Sequence, residues 1–237
     1  MITPSSNTVV EPVTIAMTSG LYPRISTHYT RIEVKTISLE RESLSHFDLE
    51  PMLRAAVLLA DAGVDLIAWN GTSGAWRGLD EDVSTCQAIT ESTGIFATTS
   101  TLAQVQAFKY LDVHRYALAV PYIESVAQAI PGTYAQAGFD CANWSCLGIT
   151  INSEFAQVPS NAIRELVRRS DSDKAEAIAI VCTNLPAAWL VEELEAELGK
   201  PIIDSTVTTV WHALRLVGFL DPLPGWGRLL RCQAAGA

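Results

Sequence analysis

The sequence lacks the features that would assign the protein to a membrane or to nucleic acid. No apolar run approaches the roughly 18 residues that a helix needs to cross a bilayer. Residues 1–7 lack the basic flank and apolar core of a signal peptide. The 16 basic residues are outnumbered by 26 acidic ones, which gives a net charge of -10, and no basic stripe runs along the chain. We therefore expect a cytoplasmic protein that binds neither membrane nor nucleic acid.

A metal-ligand cluster is also missing from the sequence. The cysteine count is odd without a secretory signal, which favours free thiols in a reducing compartment: Cys86, Cys141, Cys146, Cys182 and Cys232. The one close pair has no second pair and no neighbouring histidine to complete a tetrahedral site. The four histidines have no partner at ligand spacing either. We predict no metal and assign the histidines no role.

What the sequence has is a regular alternation of short apolar runs and amphipathic stretches, with 49% hydrophobic residues overall. The apolar runs predict buried strands at 63–69, 94–97, 116–120, 177–181 and 201–203. Apolar residues at three- and four-residue spacing predict helices at 49–62, 81–93, 101–111, 123–137, 160–170, 186–198 and 207–217. This alternation is typical of an α/β protein with parallel sheets.

An internal repeat divides the chain into two similar parts. Residues 66–76 resemble 177–189, so that Gly71 corresponds to Cys182, and 95–100 resemble 202–206. We predict two pseudo-symmetric, doubly wound, parallel four-stranded sheets with the active-site cleft between them. The N-terminal half would comprise 1–98 plus 206–237 and the C-terminal half 99–205. A generic likeness between βα units without duplication is the alternative.

Cys182 lies where an apolar strand stops and a helix begins. Strand ends of open α/β sheets face the ligand crevice, so a thiol there can give or take a proton at carbon. A buried, inert cysteine is the alternative. Of the other four cysteines, none is expected in a strand: they are placed on helices, in loops or in the tail.

The matching loop around Gly71 carries two hydroxyls, those of Thr72 and Ser73. Its amides and side chains could hold a carboxylate or an enolate, although a plain turn with a Ser or Thr helix cap would explain the same residues. Asn7 and Tyr122 follow the paired first strands of the two halves and could offer hydrogen bonds to the same cleft.

These residues resemble the aspartate/glutamate racemase superfamily, in its branch of maleate cis-trans isomerases and arylmalonate decarboxylases. The similarity covers nearly the whole chain. The maleate isomerase-like segments are 4–8, 120–122, 144–152, 182–186 and 224–230, whereas 71–73 looks like the decarboxylase loop. In racemases and isomerases of this superfamily two cysteines face the substrate from opposite halves. The first would stand where this chain has Gly71.

The resemblance implies a cofactor-independent decarboxylase of an aryl- or alkylmalonate or a similar dicarboxylic acid. Isomerisation needs the first cysteine as a nucleophile, and racemisation needs an acid and a base on opposite faces; Gly71 supplies neither. By similarity, Cys182 would protonate the enediolate that remains after carbon dioxide leaves. The substrate-binding residues, of which Thr183 would act through its amide, would be Asn7, Gly71, Thr72, Ser73, Tyr122, Asn152 and Thr183.

Other readings of the resemblance stay open. Asn152 stands where the decarboxylases have an apolar pocket, and Asn7 is also isomerase-like, so the small carboxylic-acid substrate is expected to carry two polar ends. The alternatives are a maleate isomerase or Asp/Glu-type racemase, and a non-catalytic dicarboxylate-binding protein. The resemblance favours at least a dimer. It also implies residues before the first strand, so either that strand is shortened here or the native chain is longer.

Overall fold

The computed structural model describes residues 1–232, and the last five residues of the predicted N-terminal half, 233–237, lie outside the described residues. Its strands form two parallel four-stranded sheets. The first sheet has the order β2-β1-β3-β4, from β1 (Ile2–Pro4), β2 (Thr30–Ile32), β3 (Ile67–Trp69) and β4 (Ala97–Thr99). The second has the order β6-β5-β7-β8, from β5 (Arg115–Tyr122), β6 (Asp140–Ile149), β7 (Ala177–Ile180) and β8 (Ile202–Asp204). The equivalent order confirms the predicted pseudo-symmetric pair of sheets.

Helices connect the strands and cover the sheets. Within the described residues they are α1 (Val10–Thr18), α2 (Arg41–Leu44), α3 (Leu49–Ala60), α4 (Gly74–Arg77), α5 (Leu79–Thr93), α6 (Ser100–Tyr110), α7 (Glu124–Gln136), α8 (Asn152–Phe155), α9 (Ser160–Ser170), α10 (Val191–Leu198), α11 (Ser205–Leu216) and α12 (Arg228–Arg231). None of them is long and apolar enough to cross a bilayer.

The inner strands owe their position to their apolar sequence. All residues of the inner strands β1, β3 and β7 are buried, as is β5 beyond Arg115, and the edge strand β8 is buried as well. Strands covered by helices on both faces read as continuous apolar runs, which is why the sequence predicts most of them. Strand β4 runs from Ala97 to Thr99 and not over the predicted 94–97, since Thr98 and Thr99 are buried in the sheet despite their hydroxyls, whereas Phe96 is exposed.

The elements absent from the prediction are those without an apolar run. Strands β2 and β6 each form one edge of their sheet, opposite β4 and β8. Arg31 in the middle of β2 is exposed, and most of β6 is half-buried, so neither has the composition of an inner strand. Helix α1 and the short helices α2, α4, α8 and α12 were not predicted either.

The helix that follows the fourth strand of each sheet contacts the other sheet. Gln104 of α6 donates hydrogen bonds from Nε2 to the carbonyls of Ile180 (3.3 Å) and Ile203 (3.1 Å) in the second sheet. His212 of α11 lies 3.1 Å, through Nδ1, from Thr98 Oγ1 in the first sheet. The halves therefore exchange these helices. The boundaries of the two halves, after residues 98 and 205, stay a prediction.

Asp204, the last residue of β8, caps α11. Its Oδ1 accepts hydrogen bonds from the N–H groups of Thr206 (2.9 Å) and Val207 (3.0 Å), which are free donors at the helix start. Its Oδ2 is buried without a hydrogen-bond partner among the described residues. Burial raises the pKa of the Asp204 carboxyl from 3.8 to about 7, although the two amides lower it. The charged form of Asp204 is therefore unfavourable in the folded protein.

We expect Asp204 to lower the stability of the protein as the pH rises from about 4 to about 7. Because its pKa is raised on folding, its stabilising contribution is complete below the unfolded value of 3.8 and is lost by about 7. The loss is about 4 kcal/mol at about 1.36 kcal/mol per pKa unit. In Asp204→Asn, which keeps the accepting oxygen without the charge, this loss should disappear. Urea unfolding at several pH values measures it.

The matched control is Asp80→Asn, at an exposed position in the first turn of α5. This variant should retain the wild-type dependence of unfolding free energy on pH. A dependence equally steep in Asp204→Asn would contradict the expected role of the buried carboxyl.

Candidate active site between the two sheets

Two loops that follow matching strands form walls of one pocket. Residues 70–73 follow β3 in the first sheet, and residues 181–185 follow β7 in the second. Carboxyl ends of parallel strands lie at one edge of their sheet, so each loop stands at the edge where α/β proteins bind ligands. Gly71 and Cys182 both line the pocket, one from each half.

The pocket encloses about 280 Å³ of empty space, its mouth included. The predicted residues that line it are Gly71, Thr72, Ser73, Tyr122, Asn152, Cys182 and Thr183. The pocket is also lined by residues that the sequence did not predict: Pro4, Val34, Ile37, Phe47, Trp69, Trp76 and Asn184. Trp69 and Trp76 lie inside the repeated segment 66–76, and this position could have indicated that they line the pocket. The segment that carries Val34, Ile37 and Phe47 has no helix or strand periodicity to find.

A larger cavity, about 1020 Å³ with its mouth, lies elsewhere, next to Met1 and Leu66 at the amino-terminal side of the first sheet. It contains none of the predicted site residues. We place the candidate site in the smaller pocket because the strand ends, the hydroxyls and the buried thiol meet there.

The Cys182 thiol is almost fully buried, with 2% of the residue exposed. Burial raises the pKa of the thiol to about 12, against hydrogen bonds from the Tyr122 hydroxyl and the amides of Asn184 and Leu185, which lower it. The group is therefore a protonated thiol at neutral pH. The same three donors are in place to stabilise a thiolate once the proton has left.

Tyr122 connects Cys182 to the loop of the other half. Its Oη lies 2.8 Å from Thr72 Oγ1, and either oxygen can be the donor. Burial raises the pKa of Tyr122 well above its ordinary value of 10. The phenol therefore keeps its proton and can direct it to Thr72 or to the sulfur. Its ring packs edge-on against Trp76, with ring centroids 5.0 Å apart.

The Thr183 hydroxyl forms two hydrogen bonds with residues of the first half of the protein. It donates to the carbonyl of Asn70 (2.9 Å) and accepts from Nδ2 of Asn7 (3.1 Å). Asn7 is fully buried, and its Oδ1 accepts from the amides of Val9 (2.9 Å) and Val10 (3.0 Å) at the start of α1. Asn7 therefore does not line the pocket, but it contacts the lining residue Thr183. The predicted roles of Asn7 and of the Thr183 amide in substrate binding stay predictions.

Asn152 belongs to a second polar network between the halves. Its side-chain Nδ2 donates to Ser6 Oγ (2.7 Å), and its backbone carbonyl accepts from Nδ2 of Asn184 (2.6 Å). Asn184 in turn accepts the Thr8 amide at 3.0 Å. Next to this network, the Ile37 amide donates to the Thr150 carbonyl (2.9 Å), which ties the segment after β2 to the second half. One end of the pocket is therefore polar.

Gly71 has no room for a side chain. A Cβ atom built on it would lie 2.1 Å from Cζ2 and 2.4 Å from Cε2 of Trp69. The indole of Trp69 donates from Nε1 to Ser73 Oγ at 3.3 Å. The Trp69 indole therefore occupies the space that a side chain at position 71 would need. It forms this part of the pocket wall.

Gly74, at the start of α4, is equally constrained by Asp82. A Cβ atom there would lie 2.3 to 2.5 Å from the carboxyl atoms of Asp82. Burial raises the pKa of Asp82 to about 6, although a hydrogen bond from the Thr99 hydroxyl lowers it. This carboxyl supports the turn that presents Thr72 and Ser73 to the pocket.

The remaining cysteines lie away from the pocket. Cys86 lies in α5 and Cys232 follows α12, but Cys141 and Cys146 lie in β6. The expectation that none is in a strand was therefore wrong for these two, because the edge strand was not predicted. In the part of the chain that the structure describes, no three His, Cys, Asp or Glu residues are grouped to hold a metal ion.

Known proteins resemble this chain over its length. The maleate isomerase of Nocardia farcinica is 28% identical over 245 residues, which cover 99% of this chain and 96% of that protein. The arylmalonate decarboxylase of Bordetella bronchiseptica is 29% identical over 185 residues, 76% of this chain and 77% of that protein.

A solved structure of the Nocardia farcinica maleate cis-trans isomerase matches the fold with a TM-score of 0.88 and 28% identity, covering 97% of this chain and 96% of that one. It is a variant with one cysteine changed to serine, and it contains a covalently bound succinylcysteine intermediate. The family model described as arylmalonate decarboxylase matches residues 3–230. Because that model spans nearly the whole chain, the protein belongs to the arylmalonate decarboxylase family.

Proposed function

We propose that the protein is a cofactor-independent decarboxylase that acts on a substituted malonate or a similar small dicarboxylic acid. The observation that carries this proposal is that Cys182 supplies the one thiol that lines the pocket within residues 1–232. Cys182 is buried and protonated, and the corresponding residue of the other half is Gly71. A protonated thiol is an acid, and acid is what the carbanionic product of decarboxylation requires.

The reaction would proceed in two steps. Cleavage of the bond between the α-carbon and one carboxylate releases carbon dioxide, and the bond's electron pair remains on the substrate as an enediolate. The Cys182 thiol then gives its proton to the α-carbon and becomes a thiolate. Hydrogen bonds from Tyr122 and from the amides of Asn184 and Leu185 stabilise that thiolate until solvent returns the proton.

The retained carboxylate would lie against the hydroxyls of Thr72 and Ser73. Ser73 Oγ accepts the Trp69 N–H, so its own hydrogen is free to be donated to an anion. Negative charge grows on the enediolate oxygens as carbon dioxide leaves. Donors that are already oriented toward those oxygens stabilise the transition state more than the substrate.

The pocket offers an apolar region for the substrate's side group. Val34, Ile37, Phe47 and Trp76 line it, and they lie beside the polar network of Asn152. A carbon-rich substituent fits the apolar side, while a second polar group fits the asparagine side. This supports an aryl- or alkyl-substituted acid as the substrate.

Maleate isomerisation is the second candidate function. Most of the curated relatives found carry that name. Asn152 and Asn184 also give the pocket a polar end that suits the second carboxylate of maleate. In this chain, however, the one pocket thiol among the described residues would have to act as the nucleophile, and its burial favours the protonated, unreactive form.

The two functions are separated by assaying the purified protein against a panel of aryl- and alkylmalonates for carbon dioxide release, and against maleate for fumarate. We expect release of carbon dioxide and no fumarate. In heavy water the acid product should carry one deuterium at the α-carbon and one handedness. Fumarate formation, or a folded protein inactive on every malonate, would refute the decarboxylase proposal.

Cys182→Ala should abolish turnover, because it removes the pocket thiol that gives its proton to the α-carbon. Ligand binding should persist, because hydroxyls and amides hold the anion. Steady-state kinetics and calorimetric titration with an unreactive dicarboxylate measure the two effects. Cys86→Ala, which removes a half-buried thiol from α5, is the matched control and should keep wild-type turnover. An active Cys182→Ala protein would show that another group supplies the proton.

Ser73→Ala should reduce kcat roughly 10²-fold, since it removes a donor to the charge that develops in the transition state. We expect its melting temperature to fall by less than about 4 °C, as for the loss of one hydrogen bond. Ser170→Ala removes another buried hydroxyl, which donates to the Leu166 carbonyl in α9. That control should change the melting temperature by a similar amount and leave kcat unchanged. Equal kinetic effects in both variants would assign Ser73 to folding alone.

A further inference from the structure

On the basis of the decarboxylation above, we propose that the Trp69 indole restricts proton transfer to the Cys182 side of the substrate. It does so by occupying the space of any side chain at residue 71 and by covering that wall of the pocket with carbon. Trp69 would thus be a specificity-determining residue, because it keeps a second acid-base side chain from position 71.

The exclusion of a side chain at residue 71 comes from the indole. Distances of 2.1, 2.4 and 2.9 Å separate the Cβ position of Gly71 from Cζ2, Cε2 and Cη2 of Trp69, whereas real Cβ atoms essentially never approach within 3.0 Å. The backbone of Gly71 does not have a positive φ, so its conformation would accept other L-residues. The glycine is therefore required by its neighbour and not by its own backbone.

The indole is held firmly in this position. Trp69 ends β3 and is 1% exposed. Its Nε1 donates to Ser73 Oγ at 3.3 Å, and Phe47 packs edge-on against its ring with centroids 6.4 Å apart. Rotation of the ring away from Gly71 would break the hydrogen bond and leave a cavity in a closely packed region.

The consequence for chemistry follows from the groups at this wall. The indole N–H is engaged by Ser73, and the atoms nearest to the Cβ position of Gly71 are ring carbons, which neither give nor take a proton. Proton transfer from this side would need a new group and the space to hold it. A change at residue 71 alone gives the group without the space, and a change at Trp69 alone gives the space without the group.

A stability comparison tests the packing. Gly71→Ala should lower the melting temperature by about 3–10 °C in the wild-type background, as for overpacking. In a Trp69→Leu background the same change should cost less than about 2 °C, because the ring is gone. If Trp69→Leu does not fold, Trp69→Phe supplies the comparison. Equal losses in both backgrounds would overturn the proposal.

A hydrogen-exchange measurement tests the chemistry. In Trp69→Leu/Gly71→Cys the introduced thiolate would remove the product's α-hydrogen as a proton and leave the electron pair on the enediolate. Cys182 would then give its proton to the opposite face, and both sulfurs would recover their state through solvent. Exchange of the α-hydrogen with heavy water, with racemisation, should be at least about tenfold faster than in Gly71→Cys alone.

The matched control is Trp76→Leu/Gly71→Cys. Trp76 also lines the pocket and contacts Phe47, with ring centroids 6.1 Å apart, but is not among the nearest atoms to the Cβ position of Gly71. Exchange as fast in this control, or in Gly71→Cys alone, would overturn the proposal. If the wild-type protein releases carbon dioxide from no malonate, the proposed function fails, and the stability comparison still decides whether Trp69 excludes a side chain.

Discussion

The hydrogen bonds of the Thr183 hydroxyl fix the distance between the two halves of the site. This buried hydroxyl donates a hydrogen bond to the Asn70 carbonyl of one loop and accepts one from Nδ2 of Asn7, which precedes helix α1. Asn70 and Thr183 are immediate neighbours of Gly71 and Cys182. The separation of the two pocket walls therefore depends on a hydroxyl that has little freedom to find other partners, since buried polar groups are costly when unpaired.

Burial determines the chemical character of the site as strongly as its geometry does. The low polarity around Cys182 favours its neutral form, and the same surroundings strengthen every hydrogen bond that the thiolate would receive. Tyr122 is buried with it and also remains protonated. A site of this kind holds protons firmly until a substrate of sufficient basicity arrives. An enediolate carbon is such a base, whereas the carboxylates of the starting acid are not.

The sequence predicted the parts of the molecule that follow from periodicity. The inner strands and long helices have apolar patterns, and the repeat placed Gly71 and Cys182 in corresponding positions, which the structure brings to one pocket. The edge strands β2 and β6 have no such pattern. The contact of Trp69 with Gly71 depends on the direction of one side chain, which spacing does not reveal. Asn7 was read as a ligand donor, although asparagine is also a favoured residue at helix starts, where the structure places it.

The exchange of α6 and α11 between the sheets has a consequence for the history of the fold. When a helix that covers a sheet comes from the other repeat, one repeat by itself cannot bury both faces of its sheet. A single repeat would meet that need by lending its last helix to a second copy and accepting one in return, which is domain swapping in a symmetric dimer. In the present chain the contacts of Gln104 and His212 hold that swap within one polypeptide. Because the two loops of the pocket belong to different segments of one polypeptide, they can carry different residues, here Gly71 and Cys182.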